Sequence, residues 1–175
     1  MDVKSIIRTI PDYPKPGIMF RDVTTLMGHP KAFAHVTRLL AEAYKSSGID
    51  KVAGIEARGF VFGAALAQVF EVGFIPVRKK GKLPGDTFSR TYQLEYGEDT
   101  LEIHVDAVTP GERVLLIDDL LATGGTALAA LELLVEAGAK TAGAAFIVDL
   151  PELGGKKRLN EAGAEVLTLI EFEGH

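Results

Sequence analysis

Cysteine is absent from this sequence of 175 residues. Its absence excludes disulfide bonds, thiolate metal sites and a cysteine nucleophile, and it suits a reducing compartment. The chain also has no apolar run near the roughly 20 residues of a membrane span, and its first residues lack the basic flank and apolar stretch of a signal peptide. We therefore expect a cytoplasmic protein that is neither exported nor embedded in a membrane.

An excess of positive charge is also missing. The chain has 19 Lys and Arg against 24 Asp and Glu, a net charge of -5. Proteins that attract nucleic acid or anionic membranes through a general field carry the opposite sign, so we expect neither partner and look for local anion sites only. With 47% hydrophobic and 25% charged residues, the composition is that of a globular protein, and the length predicts a single domain over residues 1–175.

The sequence does contain a regular alternation of predicted strands and helices. Continuous apolar runs such as VLLI at 114–117 are typical of strands buried on both faces of a parallel sheet. The alternation predicts an α/β fold in which a doubly wound, mainly parallel sheet is flanked by helices. The predicted strands cover 52–55, 74–77, 113–117, 141–148 and 165–170, and the predicted helices cover 30–47, 59–70, 125–137 and about 155–160.

The segment 79–106 breaks this alternation. It contains several Gly and Pro residues among polar ones, and its apolar residues alternate with polar ones at 91–96 and 100–105. This pattern predicts a flexible loop and an antiparallel β-hairpin that project from the sheet. Ligands of open parallel sheets bind beyond the carboxyl ends of the strands, so the loops after Ile55, Val77 and Ile117 are expected to line one crevice.

The motif that carries most chemistry is VLLIDDLLATGGT at 114–126. Backbone N–H groups at a helix N-terminus can converge on a phosphate, and glycines allow its close approach. Asp118 and Asp119 would repel that phosphate, so we expect them to accept hydrogen bonds from sugar hydroxyls nearby. A phosphorylated sugar would suit both the turn that can bind a phosphate and the acid pair that can bind hydroxyls. The predicted phosphate loop is Ala122, Thr123, Gly124, Gly125 and Thr126.

A structural alternative is that Thr123 only caps the helix and the two acids only form a solvated strand end. Other nucleotide motifs fail on spacing. No G-x-G-x-x-G follows the first strand, and the interval from Gly54 to Gly59 continues with Phe60 where a P-loop has lysine. The histidines, at positions 29, 35, 104 and 175, show no ligand spacing, so no metal site made of protein side chains is expected.

The motif at 114–126 resembles the signature of the type I phosphoribosyltransferases, whose T-G-G-T-like loop binds the 5-phosphate of phosphoribosyl pyrophosphate (PRPP). The segments at 14–26, 54–63, 77–85, 92–97 and 101–107 are similar, in order, to the members of this family that act on adenine. Members that act on 6-oxopurines carry an acid where this chain has Ala122. The resemblance implies purine salvage, in which adenine and PRPP give AMP and diphosphate. It also implies Mg²⁺ held mainly by PRPP, and a homodimer.

The resemblance also implies roles for individual residues. An N-terminal hood, about residues 1–30, covers adenine with Met19, Phe20 and Arg21, although Met19 is larger than the β-branched residue usual there. Glu95, on the hairpin, protonates or hydrogen-bonds adenine N7, and one cation, expected to be Arg78, reaches across the dimer interface. The alternatives are that Phe20 is a core residue and Glu95 an exposed strand residue. The implied catalytic residues are Arg58, Glu95, Asp118 and Asp119, and the implied diphosphate contacts are Arg58, Arg78, Lys79 and Lys82.

Two other functions remain open from the sequence. One is a regulator that senses PRPP without catalysis, although such proteins add a nucleic-acid-binding domain or a basic face that this acidic chain lacks. The other is the same reaction on xanthine, whose bacterial enzymes share a similar acid-acid and small-residue loop. The segments at 14–26 and 54–63 favour adenine over xanthine.

Overall fold

The structure is a computed structural model that describes residues 1–94 and 96–174. The described residues form nine strands, five α-helices and the 3₁₀-helices Lys4–Ile6 and Pro151–Leu153. The α-helices are α1 (Thr24–Met27), α2 (Pro30–Tyr44), α3 (Arg58–Phe70), α4 (Gly125–Glu136) and α5 (Gly155–Glu161). The strands are β1 (Arg8–Pro11), β2 (Met19–Asp22), β3 (Lys51–Ile55), β4 (Gly73–Lys79), β5 (Thr87–Gln93), β6 (Glu98–His104), β7 (Arg113–Leu121), β8 (Lys140–Asp149) and β9 (Val166–Glu171).

Seven of the strands form one mainly parallel sheet in the order β5-β6-β4-β3-β7-β8-β9. Strands β4, β3, β7, β8 and β9 are parallel, and the hairpin β5–β6 extends the β4 edge in antiparallel pairing. The predicted α/β fold with a doubly wound, mainly parallel sheet is confirmed. The hairpin continues the sheet edge through β6, so it does not project from the sheet over its whole length.

The core lies on both faces of this sheet because its central strands contain continuous apolar runs, such as 114–117 in β7. In β7, Val114 and Leu116 face an apolar cluster that includes α4, whereas Leu115 and Ile117 face a second cluster that includes α2 and α3. Side chains of a strand alternate between faces, so only a run without polar residues can fill both clusters. The carboxyl ends of the parallel strands are thereby fixed by buried neighbours.

Two strands reach further than the sequence predicts. Strand β4 continues through Lys79, because Arg78 and Lys79 pair with β6. Strand β7 continues through Leu121, because its last residues pair with β8 up to Asp149. These extensions place Asp118 inside a strand, where we expected a loop. They also place Arg78 and Lys79 on a strand, where adjacent side chains point to opposite faces.

The helices follow the predicted ranges closely. Helix α2 begins after His29, whose Nδ1 accepts a hydrogen bond from the Ala32 N–H at 3.1 Å, and it ends at Tyr44 rather than at Ser47. Helix α3 begins one residue before the predicted start, at Arg58. None of the helices in the described residues is both long and apolar enough to cross a membrane.

The N-terminal residues form a small antiparallel sheet, β1–β2, that the residue pattern does not predict. Asp22 anchors this hairpin at its base. Its carboxylate accepts hydrogen bonds from the Arg8 guanidinium at 2.5 Å, from the Thr24 hydroxyl at 2.7 Å and from the Thr24 N–H at 3.0 Å.

The edge hairpin has a similar anchor. Glu102 on β6 is 8% exposed and accepts hydrogen bonds from the Gly81 N–H at 2.8 Å, the Thr87 hydroxyl at 2.9 Å and the Ser89 hydroxyl at 2.8 Å. The loop before β5 is therefore tied to β6 by one buried carboxylate.

Candidate functional site

A crevice of about 360 Å³ opens at the carboxyl ends of β3, β4 and β7. It is the crevice that the strand ends predict, and residues from all three expected segments line it. The lining residues are Ile55, Glu56, Arg58, Lys79, Tyr92, Leu94, Asp99, Leu101 and the continuous segment 118–127.

All five residues of the predicted phosphate loop line this crevice. The loop turns into helix α4 at Gly124, which adopts φ +88° and is the N-cap of the helix. A residue with a Cβ is strained at this angle, so glycine is required. Because Gly124 is the N-cap and no side chain caps the helix, the alternative that Thr123 merely caps it is wrong.

Helix α5 holds the phosphate loop from outside. The Gly155 N–H donates a hydrogen bond to the Ala122 carbonyl at 3.0 Å. A Cβ on Gly124 would lie 3.1 Å from the Gly155 carbonyl oxygen, so the two backbones are in close contact. The loop is therefore a turn that lines the crevice at a helix N-terminus, where the first N–H groups have no partner within the helix, and such a position suits a phosphate.

The acid pair follows the buried part of β7. Asp119 is 5% exposed, which contradicts the alternative of a solvated strand end, and Asp118 is half-buried. The Asp119 N–H donates to Asp118 Oδ1 at 2.8 Å. Burial, together with the neighbouring Asp119 carboxylate, raises the pKa of Asp118 above its usual range. A ligand that brings hydrogen-bond donors or positive charge would stabilise the ionised form of Asp118.

Arg58 lies directly opposite the acid pair. It is the first residue of α3, after a cis Glu56–Ala57 peptide, and its Nε donates to Asp119 Oδ2 at 2.6 Å. Helix α3 can come this close because Gly59 has no side chain. A Cβ at Gly59 would lie 2.8 Å from Asp118 Oδ1 and 3.1 Å from the Ile117 carbonyl oxygen.

The structure separates the four predicted diphosphate cations. Arg58 and Lys79 line the crevice. Arg78, the preceding residue on β4, does not line it. Its guanidinium lies 5.8 Å from the ring of Phe60, and its Nε lies 3.3 Å from Glu56 Oε1. Lys82 is exposed on the loop before β5 and is not one of the lining residues.

The predicted adenine contacts lie on β2, at the end of the N-terminal hairpin. Phe20 is half-buried, and its ring lies 5.7 Å from the Arg58 guanidinium and 5.2 Å from the ring of Tyr13. Met19 is exposed. The Arg21 side chain is directed elsewhere: it donates to the Thr9 hydroxyl at 2.7 Å.

Glu95 lies outside the residues that the structure describes, and its two neighbours differ in position. Leu94 lines it. Tyr96 is 79% exposed, and the Lys15 ammonium of the N-terminal hairpin lies 5.3 Å from its ring. The two hairpins therefore approach each other through Lys15 and Tyr96.

Sequence reasoning missed three polar residues of the crevice. Glu56 follows β3, and Tyr92 and Asp99 come from the edge hairpin. Asp99 Oδ2 lies 3.0 Å from the Lys79 ammonium. Burial is the largest influence on Tyr92 and raises the pKa of its phenol. The alternation of apolar and polar residues in the predicted hairpin shows which residues share a face of the hairpin. It does not show that this face lines the crevice.

The site could hold a metal only as part of a larger set of ligands. Within residues 1–94 and 96–174, no group of three or more Asp, Glu, His or Cys side chains is arranged to hold a metal ion. The crevice does offer carboxylate oxygens from Asp118, Asp119 and Glu56, and Mg²⁺ prefers oxygen ligands and commonly keeps substrate phosphates and waters. The residues therefore fit a Mg²⁺ ion that a phosphorylated substrate brings with it.

Comparison with known proteins agrees with this geometry. Residues 22–167 match the family described as phosphoribosyl transferase domain. The adenine phosphoribosyltransferase of Rhodopseudomonas palustris is 59% identical over 174 residues, covering 99% of this chain and 96% of that protein. The crystal structure of the Thermoanaerobacter pseudethanolicus adenine phosphoribosyltransferase has a TM-score of 0.93 at 48% identity, covering 98% of each chain.

A third similar structure contains ligands. The Saccharomyces cerevisiae adenine phosphoribosyltransferase, complexed with an imino-altritol bisphosphate and adenine, has a TM-score of 0.90 at 40% identity and covers 96% of each chain. The bisphosphate in that complex carries two phosphate groups on a sugar-like ring.

Proposed function

Because this chain belongs to the phosphoribosyltransferase family, we propose that it transfers the phosphoribosyl group of PRPP to adenine. The bond between ribose C1 and the diphosphate oxygen breaks, a bond from C1 to adenine N9 forms, the N9 proton leaves, and the products are AMP and diphosphate. The observation that carries this proposal is the crevice itself, where a helix N-terminus that suits a phosphate lies beside a buried acid pair and two cations. This places the chain in purine salvage.

The acid pair is assigned to the ribose. As diphosphate leaves, positive charge develops on the sugar, and fixed negative groups beside it stabilise that charge most where water is scarce. Asp118 and Asp119 are held by β7 and can accept hydrogen bonds from the ribose hydroxyls. The 5-phosphate then lies on the N–H groups of residues 122–126, with the hydroxyls of Thr123 and Thr126 as further donors.

The cations are assigned to the leaving group. Arg58 and Lys79 line the crevice and can pair with diphosphate oxygens, which requires Arg58 to exchange Asp119 for the diphosphate. Arg78 and Lys82 are assigned to the diphosphate as well, but from outside the crevice of one chain. Arg78 is not one of the residues that line the crevice of its own chain, which supports a contact with the crevice of a second chain, and therefore a homodimer.

The two hairpins are assigned to the base. Phe20 can stack on adenine, with Met19 at its edge, while Arg21 contributes through its main chain because its guanidinium is bound to Thr9. Glu95 is assigned to adenine N7, where it donates or shares a proton as N9 attacks. Its neighbour Leu94 lines the crevice, which supports this position.

Mg²⁺ is the proposed cofactor, since phosphoribosyltransferases generally use it with PRPP. When bound, it supplies positive charge to the diphosphate and ribose oxygens. Asp118 and Asp119 lie where they can hold its waters or the hydroxyls that it polarises. We further assign the chain to one catalytic domain, residues 1–175, in the cytoplasm, with a hood over about residues 1–30 and a flexible loop over about 79–106.

A turnover assay with Mg²⁺ and PRPP tests the proposal, with adenine, hypoxanthine, guanine and xanthine offered separately and the nucleotide product identified. The proposal predicts AMP from adenine and little product from the other bases. Asp119→Asn is the matched variant, and its turnover should fall by about 10²-fold or more, as expected when a transition-state partner is weakened. Turnover of xanthine would contradict the assigned base, and PRPP binding without turnover of any base would point to a regulator.

A further inference from the structure

One carboxylate in the crevice has no role in the proposed reaction. Asp99, on β6 just after the tip of the edge hairpin, lines the crevice beside Lys79. Its Oδ2 lies 3.0 Å from the Lys79 ammonium, and the two side chains are 25% and 54% exposed, respectively. The ion pair therefore occupies the part of the crevice assigned to the diphosphate.

The pair is held from both sides. Asp99 Oδ1 accepts a hydrogen bond from the Thr100 N–H at 2.9 Å, which orients the carboxylate. The main-chain N–H of Lys79 donates to Glu56 Oε1 at 2.7 Å, which fixes the base of the lysine. The hydrogen bond to Asp99 raises the pKa of Lys79, so the ammonium stays charged throughout the neutral range.

An acid in this place works against a polyanionic substrate. A diphosphate that binds the Lys79 ammonium has to replace the Asp99 carboxylate as its partner, and it then lies next to a negative charge. Lys79 has four rotatable side-chain bonds, and without a partner it would sample many positions outside the crevice. Asp99 can therefore hold the Lys79 ammonium in place and also weaken its binding to the diphosphate.

We propose that Asp99 is a positioning residue that holds the Lys79 ammonium in the crevice and yields it to the diphosphate, so that it sets the affinity for diphosphate-bearing ligands. This inference rests on the proposed assignment of Lys79 to the diphosphate. It concerns a step that the family assignment does not include, the exchange of one anion for another at Lys79.

The variant Asp99→Asn isolates the charge, because asparagine keeps an oxygen that can accept from Lys79. Breaking a partly exposed ion pair of this kind costs up to about 1 kcal/mol. With that competition removed, diphosphate should bind roughly two- to fivefold more tightly. The effect has to act through Lys79, so it should disappear when Lys79 is replaced by alanine.

Calorimetric titration with inorganic diphosphate and Mg²⁺ tests the inference on the full chain. We expect a lower Kd for Asp99→Asn than for the unmodified protein. The Kd of Lys79→Ala and that of the double variant Lys79→Ala/Asp99→Asn should differ by less than twofold. Glu98→Gln is the matched control. It removes the same charge one residue earlier, from an exposed side chain that faces Gln93, and it should leave the Kd unchanged.

Several outcomes would overturn the inference. They are an unchanged or higher Kd for Asp99→Asn, an equal decrease for Glu98→Gln, or a decrease that persists in the Lys79→Ala background, which would indicate general repulsion. Turnover of adenine by the unmodified protein is recorded in parallel. If turnover is present and the Kd values do not change, only the role of Asp99 fails. If diphosphate does not bind the unmodified protein, the proposed function itself fails.

Discussion

Carboxylates lie in two contrasting regions of this molecule, the crevice and the bases of the hairpins β1–β2 and β5–β6. At the hairpin bases, Asp22 and Glu102 are surrounded by N–H and hydroxyl donors, and these donors lower the pKa of each. In the crevice, Asp118 has one main-chain donor and another carboxylate beside it, and its pKa is raised. The carboxylates at the hairpin bases are satisfied by several donors, whereas Asp118 in the crevice is left short of them.

This difference separates structural from functional acids. A carboxylate whose donors come from the protein stabilises a loop and has little capacity left for a ligand. A carboxylate held in a crowded crevice costs stability, and it persists because the surrounding strand fixes it there. The phosphate loop and acid pair are thus fixed by the core, whereas Asp22 and Glu102 tie the two hairpins together internally.

The largest expected effect comes from Asp118→Asn, which tests the crevice side of the contrast. Turnover with adenine and PRPP should fall by about 10²-fold or more, because a negative group beside the developing charge is lost. Thermal stability should rise or stay constant at neutral pH, because the substitution removes an ionised carboxyl that the folded state disfavours. Steady-state kinetics and thermal unfolding measure the two effects on one sample.

The sign of the stability change at Asp118 is the informative part. A raised pKa means that the folded state binds the proton more tightly than the unfolded state, so the penalty on the ionised form is full above the folded pKa. This penalty disappears as the pH falls toward the pKa that Asp118 has in the unfolded chain. A marked loss of stability in Asp118→Asn would show that Asp118 is an anchor like Glu102, and the contrast would fail.

Glu102→Ala tests the hairpin side of the contrast and should have an intermediate effect. Three donors, from Gly81, Thr87 and Ser89, would lose their acceptor. An unsatisfied buried donor costs about 1–3 kcal/mol, and the cost here is smaller because Gly81 and Ser89 are exposed and can bind water. Local opening should relieve much of that cost, so the loop at 81–89 should become the first site of limited proteolysis. Glu98→Ala, at an exposed position of the same strand, is the control. Equal cleavage of both variants would rule out the anchoring role.

Much of the fold could be predicted because its signals are local. The apolar run of β7, the glycines that follow it and the start of α4 lie within 13 residues, 114–126, and each segment fixes its own structure. The ends of β4 and β7 could not be predicted, since their last residues are strands only through pairing with β6 and β8. The N-terminal sheet is a further case, because Arg8 and Asp22 are bonded across 14 positions.

The site was predictable as a set of residues but not as a set of contacts. The pair between Arg58 and Asp119 joins positions 61 apart, and the closeness of the two depends on Gly59. Grouping Arg78 with Lys79 as neighbouring cations missed their separation, which strand alternation imposes once β4 is extended. Asp99 carries no local signal at all, because its importance comes only from the lysine that it meets.

The smallest expected effect concerns pH and the N-terminal hairpin. Its anchor is Asp22, whose pKa is lowered from 3.8 to about 2. The hydrogen bond from the Thr24 hydroxyl lowers it most, and Arg8 lowers it further, although burial acts in the opposite direction. A lowered pKa contributes stability that is complete above the unfolded value of 3.8 and is lost as the pH falls toward 2. Asp22→Asn should therefore be less stable by at most about 2 kcal/mol at pH 6, and this difference should shrink below pH 4. Urea unfolding of both proteins from pH 6 to pH 3 measures it. A difference that stays constant over this range would show that the Asp22 charge does not anchor the hairpin.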